Sequence, residues 1–398
     1  MGLSPTTSTR PNEPDRSRHA LAPGAVRAVM ASLGLVMLAA SLDATAVGTA
    51  LPQIVTDLAS NGLYTWVFTI YLLTMTASMP IFGSISDRIG RKPVLFAGML
   101  IFIGGSVLCG LAGEMWQLIL FRGLQGLGAG AIVPVTLAII GDLYAPAERA
   151  RVQALFGSLF VVAFLIGPTL GGVFTDTIGW RWVFYINLPI SLLAIFVVWR
   201  FMPALHYDGP RRRVDVAGMV LFVAAIVPFL IGVRNLPGSD LTDLAVGGLM
   251  LLGLAFGLFF LIVEAYADAP IVPVKLFRDA TFAVASIVVF LAVAGLFIGV
   301  VFMPRYFQLV HDASATESGW QNMTLLFGLI IGAVVGGATV SRTGRWKVLL
   351  LGAMVIGTVG MLMLTGLDGQ TELPYVWAAM FITGIGLGPI TSVMTAVV

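Results

Sequence analysis

The chain has 398 residues, of which 58% are hydrophobic and 11% charged, and its formal net charge is +2. Soluble globular domains carry roughly 25% charged residues, so this composition indicates an integral membrane protein. One cysteine and three dispersed histidines exclude an intramolecular disulfide and predict no metal site. No Gly-x-x-x-x-Gly-Lys-Ser/Thr loop is present, so we also expect no nucleotide and no cofactor.

Taken in chain order, residues 1–27 are rich in Pro, Ser, Thr and Arg and predict a disordered cytoplasmic tail. Twelve apolar segments follow that are long enough to cross a membrane, which takes about 20 residues. The predicted spans are 28–51, 63–82, 94–113, 116–140, 153–175, 182–202, 214–233, 244–264, 281–303, 319–340, 347–366 and 374–396. The sequence therefore predicts an all-α, multi-pass membrane protein.

The loop charges predict how the chain is oriented. With a cytoplasmic N-terminus, only Arg181, Arg234 and Arg305 lie outside, and Arg122 lies within a span, so 18 of the 22 Lys and Arg residues are cytoplasmic. The inverse orientation is disfavoured by the positive-inside rule. Because these charges are spread over short loops, we expect no nucleic-acid-binding surface. We expect the cell membrane as the location.

A charged motif occurs twice. The first copy, between the second and third spans, is Gly83-Ser84-Ile85-Ser86-Asp87-Arg88-Ile89-Gly90-Arg91-Lys92-Pro93, which we interpret as a tight turn. In the second copy, residues 337–347, Gly337, Arg342, Gly344 and Arg345 match Gly83, Arg88, Gly90 and Arg91, and Ser341 replaces Asp87. A duplicated motif in a membrane protein indicates a transporter built from two related halves.

Asp43 is the main candidate for chemistry, because it lies well inside the first span. An ionised carboxylate in a bilayer costs about 2.5–3.5 kcal/mol, so we expect proton uptake there, in competition with a cationic substrate. Arg122 is the only cation deep in a span, and it is expected to pair with Asp43 or to hold backbone carbonyls. Gln125 belongs to the same polar seam. A purely structural role in helix packing is the alternative.

The charged motif is a candidate conformational latch, made of Gly83, Asp87, Arg88, Gly90, Arg91 and Lys92 together with Arg342 and Arg345. We expect Asp87 to cap the third helix or to bridge to another helix end, and the arginines to pair with acids such as Asp142. Such pairs would hold two halves together in one state and release them in another. The alternative is that these charges set only the orientation.

Small residues form a candidate hinge or leak-tight seam in the fifth span, at Gly167, Pro168, Gly171 and Gly172. Glycine allows helices to approach closely and proline bends them, although routine packing is the alternative. Several side chains are candidates to line a cavity for an aromatic, cationic substrate, although packing, contact with lipid or anchoring at the membrane interface is the favoured alternative for each aromatic. They are Trp66, Tyr71, Phe160, Phe164, Trp180, Trp182, Tyr185 and Asn187.

These motifs resemble those of the major facilitator superfamily, in particular its fourteen-span drug:proton antiporters. Gly83 to Arg91 resembles the loop after the second helix, and Gly167 to Gly172 resembles the antiporter motif of the fifth. Leu118, Arg122, Gln125, Gly126, Gly128 and Ala129 resemble the pattern of the fourth helix, and Leu42 to Thr45 with Ala50 to Pro52 that of the first. Ala163 and Gly48 depart from the family pattern, where Gly and Asn are usual.

The resemblance implies a proton-transfer role for Arg122 and a particular domain organisation. Residues 28–202 would form a six-helix bundle, and residues 203–280 a linker with an inserted hairpin, 214–233 and 244–264. Residues 281–398 would form four helices of a second bundle, so we expect two further C-terminal spans to be missing. Gly384, Gly386 and Gly388 resemble Gly126, Gly128 and Gly130, which supports this register.

We therefore predict a proton-coupled exporter of lipophilic or cationic small molecules, not an enzyme, driven by the proton gradient. Its expected partners are a small-molecule substrate, protons and the lipid bilayer, with no nucleotide or nucleic acid, and we expect a monomer. One alternative cargo is a native lipid, sugar, amino acid or siderophore. An alternative of another class is a truncated subunit or binding scaffold that moves no solute.

Overall fold

The computed structural model describes residues 23–397 apart from 60, 145, 203–214, 237–239, 268–269, 271, 273 and 344. The predicted tail up to residue 22, most of the linker after residue 202 and Gly344 of the second motif lie outside the described residues. The helices are α1 Pro23–Asp57, α2 Trp66–Ile89, α3 Arg91–Leu111, α4 Met115–Leu143, α5 Pro146–Thr177, α6 Trp182–Tyr185, α7 Asn187–Phe201, α8 Val216–Asn235, α9 Leu249–Tyr266, α10 Ala280–Val310, α11 Ala315–Thr343, α12 Trp346–Thr365 and α13 Leu373–Val397.

The all-helical membrane prediction is confirmed. Within the described residues, eleven helical segments are long and apolar enough to cross a membrane. They match eleven of the twelve predicted spans, and α6 and α7 together form one of them. The remaining predicted span, 153–175, lies inside the 32-residue helix α5.

The charged motif is mostly helical, which corrects our prediction of a turn over its first residues. Helix α2 continues through Asp87 to Ile89, and the Gly90 amide still donates to Ser86 O at 3.1 Å. Only Gly90 breaks the helix, with φ of +101°, a conformation that glycine adopts without a steric penalty. Helix α3 then starts at Arg91 without a side-chain cap, so Asp87 does not cap it.

Helix α4 lies close to α2 and α3 because glycines line its contact faces. A Cβ atom on Gly126 would lie 2.4 Å from Tyr71 O of α2, and one on Gly128 would lie 2.3 Å from the Phe102 nitrogen of α3. The backbones therefore touch, as small residues permit in membrane helices. These contacts set the position of α4 relative to α2 and α3, and therefore the position of its polar side chains.

Helix α13 repeats this packing. A Cβ atom on Gly384 would lie 2.1 Å from Leu325 O of α11, and one on Gly386 would lie 2.1 Å from the Gly357 nitrogen of α12. In α13, as in α4, successive glycines therefore contact two neighbouring helices in turn. We call α1–α7 the first half and α10–α13 the second half, and each has buried apolar clusters.

Helices α8 and α9 lie between the halves in sequence and pack on each other. A Cβ atom on Gly253 of α9 would lie 2.6 Å from Ala225 O of α8, and the Phe222 and Phe260 rings are 5.7 Å apart. The inserted hairpin of spans 214–233 and 244–264 stays a prediction, as part of the predicted domain organisation. The division into domains at 202 and 280 stays a prediction.

The halves contact each other at the ends where α1 and α5 finish and α11 begins. Gln308 Nε2 of α10 donates to Thr49 O of α1 at 3.1 Å, and the Tyr64 hydroxyl donates to Val301 O at 3.1 Å. We call this the closed end. The opposite end carries the charged motif.

Candidate functional site

A buried ion pair lies in the first half. Arg122 Nη1 of α4 donates to Asp43 Oδ2 of α1, and both side chains are 0% exposed. Sequence analysis predicted Asp43 and Arg122 as candidates, and the structure brings them together.

Three further residues complete the network. Gln125 Nε2 donates to Asp43 Oδ1 at 2.9 Å, and Asn187 Nδ2 of α7 donates to the same oxygen at 2.9 Å. Ser106 Oγ of α3 accepts from Gln125 at 2.6 Å and from Asn187 at 3.3 Å. The carboxylate thus receives three donors from two helices, as a buried charge requires.

The guanidinium of Arg122 is also held by aromatic rings. Its Cζ lies 4.1 Å from the centre of the Tyr71 ring and 5.8 Å from that of Phe184. Arg122 Nε donates to Val67 O at 3.3 Å. Cation–π contacts of this kind strengthen when water is excluded, so the site stabilises the arginine in its charged form.

The pair can link a proton to a conformational change. Removing one partner of a buried ion pair typically costs about 3–5 kcal/mol, because the other charge is left without a counterion. A proton on Asp43 would have this effect on Arg122, which cannot lose its own proton. Loss of the Asp43 charge would thus favour separation of α1 from α4.

Two cavities between described residues lie elsewhere, and neither is lined by Asp43 or Arg122. One of about 560 Å³ lies at the closed end, between Gln53, Tyr64, Asp176 and Arg305. The other, of about 670 Å³, is apolar and lies between α10, α12 and α13. In this conformation the ion pair is sealed inside the first half, so a cationic substrate does not reach it.

The motif at residues 83–92 ties helices of the first half together. Arg91 is buried; it donates to Asp87 of α2, and through Nε to Asp142 Oδ2 of α4 at 2.9 Å. Lys92 Nζ donates to Trp199 O of α7 at 3.0 Å. The predicted partner Asp142 is thus found, but these contacts join helices within one half. Arg88 is exposed.

The second copy of the motif is more open. The side chains of Arg342 and Arg345 are exposed, and the Arg345 amide donates to Thr343 Oγ1 at 3.3 Å. Among the described residues no ion pair forms at either arginine. The side chain of Ser341 lies outside the described part of the chain. Gly83 of the first copy faces Pro134 of α4 without a close contact.

The small residues of α5 pack on α1 of the same half and on α11 of the second half. A Cβ atom on Gly167 would lie 1.9 Å from Thr45 Oγ1, and one on Gly171 would lie 2.2 Å from Ala46 O, both on α1. On the other side, a Cβ atom on Gly172 would lie 2.4 Å from Ala315 O of α11. Pro168 O accepts from Thr49 Oγ1 at 2.9 Å. These residues form a close seam at the closed end.

Asp176, which sequence analysis missed, connects the two halves at the same end. Its carboxylate accepts from the Ala315 amide at 3.2 Å and from the Thr316 amide at 2.7 Å. These are the first backbone amides of α11, where a helix carries partial positive charge. Asp176 of the first half therefore caps a helix of the second half.

Ser106 was also missed, and Asn187 was expected only to line a cavity. Both are uncharged polar residues in apolar spans, a type that packs in many membrane helices, so the sequence carries little signal for them. Tyr71 lies against Arg122 instead of lining a cavity, and Trp180 is buried with Nε1 donating to Asp57 Oδ2 at 2.8 Å. The side chains of Phe160 and Phe164 lie outside the described part.

Comparisons with known proteins agree with this architecture. Residues 33–398 match the family model of the Major Facilitator Superfamily. The chain is 36% identical over 369 residues to "Multidrug transporter protein MdtP" of Bacillus subtilis (strain 168), covering 92% of this chain and 68% of the relative. It is 35% identical to "Multidrug resistance protein 3" of the same organism, covering 90% of this chain and 70% of the relative.

Solved structures show the same fold. The crystal structure of a D-xylose-proton symporter matches with a TM-score of 0.61 at 14% identity, covering 92% of this chain and 81% of that one. A bacterial homologue of the human lysosomal transporter Spinster, in an inward-facing and occupied conformation, also matches with a TM-score of 0.61, at 18% identity, covering 95% and 76%. The chain therefore belongs to the Major Facilitator Superfamily, and it is a membrane transporter, not an enzyme.

Proposed function

We propose that the chain exports lipophilic or cationic small molecules from the cytoplasm in exchange for protons, by alternating access. The observation that carries this proposal is the buried pair of Asp43 and Arg122. A titratable group sealed in a membrane protein beside a fixed cation is an arrangement suited to coupling a proton to a change of conformation. Asp43 is the proton site, and Arg122 and Gln125 hold its ionised form.

The coupling step follows from the charges. When a proton binds Asp43, Arg122 loses its counterion, and the strain of a buried unpaired charge favours opening of the α1–α4 contact. When the proton leaves, the pair forms again. A proton that crosses the full membrane potential releases about 2.3 kcal/mol per 100 mV. That energy supports a concentration ratio of tens-fold per proton, since about 1.4 kcal/mol corresponds to tenfold.

The closed end supplies the gate in this proposal. Asp176 and the glycine seam of α5 hold α11 against the first half, and we take this end to face the outside. The charged motif then lies at the cytoplasmic end, with a cytoplasmic N-terminus and the cell membrane as its location. In the opposite state the Asp176 contacts would release while contacts at the charged motif would form between the halves.

The cargo class rests on the relatives and on the charge of the site. Two relatives are named as multidrug proteins, and the carboxylate of Asp43 attracts a cation once Arg122 moves away. The hairpin of α8 and α9 between the halves supports membership of the fourteen-span drug:proton antiporters. We propose a monomer that uses only the proton gradient, without a cofactor.

Reconstitution into proteoliposomes tests this function. With an imposed pH gradient, we expect uphill transport of at least one member of a panel of lipophilic cations, such as tetraphenylphosphonium and ethidium. A protonophore should abolish it. A native lipid, sugar, amino acid or siderophore transported instead would change the cargo but keep the mechanism. Equal flux with and without the gradient, or binding without any flux, would contradict the proposal.

A further inference from the structure

Asn187 contacts the ion pair from a distant part of the chain. It is the first residue of α7, directly after the interruption at Ile186 that separates α6 from α7. Its side chain is buried, and Nδ2 reaches Asp43 Oδ1, 144 positions away in sequence, at 2.9 Å. The sixth predicted span thus supplies one of the donors on which the Asp43 carboxylate depends.

The other end of the same amide is unused. Asn187 Oδ1 is buried and has no hydrogen-bond partner among the described residues, and the same holds for Arg122 Nη2. A buried polar atom without a partner typically costs about 1–3 kcal/mol, so native proteins rarely keep one without a reason. The unpaired Asn187 Oδ1 is therefore an acceptor that a second arrangement of this network is able to use.

Asp43 changes its hydrogen-bonding character when it binds a proton. An ionised carboxylate is only a hydrogen-bond acceptor, and Asp43 Oδ1 accepts from both Gln125 and Asn187. A proton on this oxygen makes it a donor, and it then faces two N–H groups instead of an acceptor. One of the facing groups must present an acceptor for the neutral form to stay hydrogen-bonded.

Asn187 is the facing amide that is able to do so. Arg122 of α4 has donors only. Gln125 is engaged at both ends, since its Oε1 accepts from Arg122 Nη1 at 2.7 Å while its Nε2 donates to Asp43. The other groups facing the pair are also engaged. Ser106 Oγ of α3 accepts from Gln125 and Asn187, Cys109 Sγ donates to Gln125 Oε1 at 3.7 Å, and the Tyr71 hydroxyl donates to Ala40 O at 3.3 Å.

We propose that Asn187 is a positioning residue that holds Asp43 in both charge states. Its Nδ2 donates to the carboxylate, and after a half-turn of the amide its Oδ1 accepts from the protonated carboxyl. The proton stays on the Asp43 oxygen throughout, so no bond other than hydrogen bonds changes. This inference rests on the proton exchange at Asp43 in the proposed function.

Difference infrared spectroscopy of the whole protein in nanodiscs, between alkaline and acid buffer, tests this role without a substrate. The carbonyl band of protonated Asp43 is identified by its absence in Asp43→Asn. We expect Asn187→Leu to shift this band to higher wavenumber, because the carboxyl has lost its acceptor. Ser191→Ala, which removes a buried hydroxyl one turn further along α7, is the matched control and should leave the band in place.

Each outcome has a distinct meaning. An unshifted Asp43 band in a folded Asn187→Leu protein would overturn the role of Asn187 and leave the proposed function intact. A wild-type protein without any Asp43 band would overturn both, because Asp43 would then take up no proton. If Asn187→Leu does not fold, Asn187→Ala removes the same two groups with less bulk and should give the same shift.

Discussion

Helix α4 of the first half and helix α13 of the second half align through their glycines, Gly126-x-Gly128-x-Gly130 and Gly384-x-Gly386-x-Gly388. In this alignment Met380 takes the place of Arg122, and Thr383 takes the place of Gln125. Met380 is buried among apolar residues of the second half, and Thr383 donates to Ala379 O of its own helix at 2.8 Å. Arg122 and Gln125 instead bond across helices to Asp43.

The comparison distinguishes the residues that allow close helix packing from those proposed to couple a proton to transport. The glycine contacts recur in both halves, so close approach of these helices is needed wherever this fold is built. Among the described residues of α1–α7 and α10–α13, buried charges occur only in the first half, although a buried ion pair is weak support for stability. The restriction of the ion pair to α1 and α4 supports the proposed role of Asp43 in proton coupling.

The largest effect on stability is expected when apolar residues replace the buried ion pair of the first half. Asp43→Leu alone leaves Arg122 buried without a counterion and should lower the free energy of unfolding by about 3–5 kcal/mol. Adding Arg122→Met, the residue found at Met380, should restore most of this loss, while driven transport stays absent. Thermal unfolding in detergent and proteoliposome flux measure the two effects. A double variant as unstable as Asp43→Leu would contradict this, because removing the unpaired Arg122 charge would then restore no stability.

A smaller effect is expected where the halves are alike. Gly128→Ala places a Cβ atom 2.3 Å from a backbone nitrogen of the neighbouring helix, and Gly386→Ala places one 2.1 Å from such a nitrogen. Overpacking of this kind typically costs about 1–3 kcal/mol, and we expect similar losses of thermal stability from both. Gly104→Ala is the control, because nothing lies within 4 Å of its Cβ position. A loss confined to one half would show that the packing is not equivalent.

The two copies of the charged motif should differ, and the smallest effect of all is expected from the second copy. Arg91→Gln removes charge-assisted bonds from a buried site and should lower the free energy of unfolding by about 1.5–3 kcal/mol. The matched variant Arg345→Gln changes an exposed side chain and should stay within about 0.5 kcal/mol of the wild type. Chemical denaturation of both variants decides this. Equal losses would mean that the second copy is tied down as firmly as the first.

Much of the fold was predictable because the bilayer imposes a simple rule on sequence. A span must be long and apolar, and the short loops between spans hold the charges, so the helices lie within a few residues of the predicted spans. The exception is the charged motif, where Gly83 to Ile89 stay helical. Charged residues at the end of a membrane helix look like a turn, although they simply reach the water while the helix continues.

The candidate site was predictable only where a charge lay in an apolar span. Asp43 and Arg122 stand out for that reason, and Asp142 was named as a partner because it lies at the same end as Arg91. Asn187 and Asp176 gave no comparable signal. The role of Asn187 depends on the meeting of α1 and α7, and that of Asp176 on the meeting of α5 and α11, which no local pattern encodes.

The measurement that tests the central claim most directly is proton release from the purified protein when a transported cation binds. A pH-sensitive dye in weakly buffered solution records it for the wild type and for Asp43→Asn, which keeps the shape of the side chain but cannot ionise. We predict proton release from the wild type and none from Asp43→Asn, with downhill exchange of the cation retained by the variant. Equal proton release from both proteins would contradict the account, because the coupled proton would then reside elsewhere.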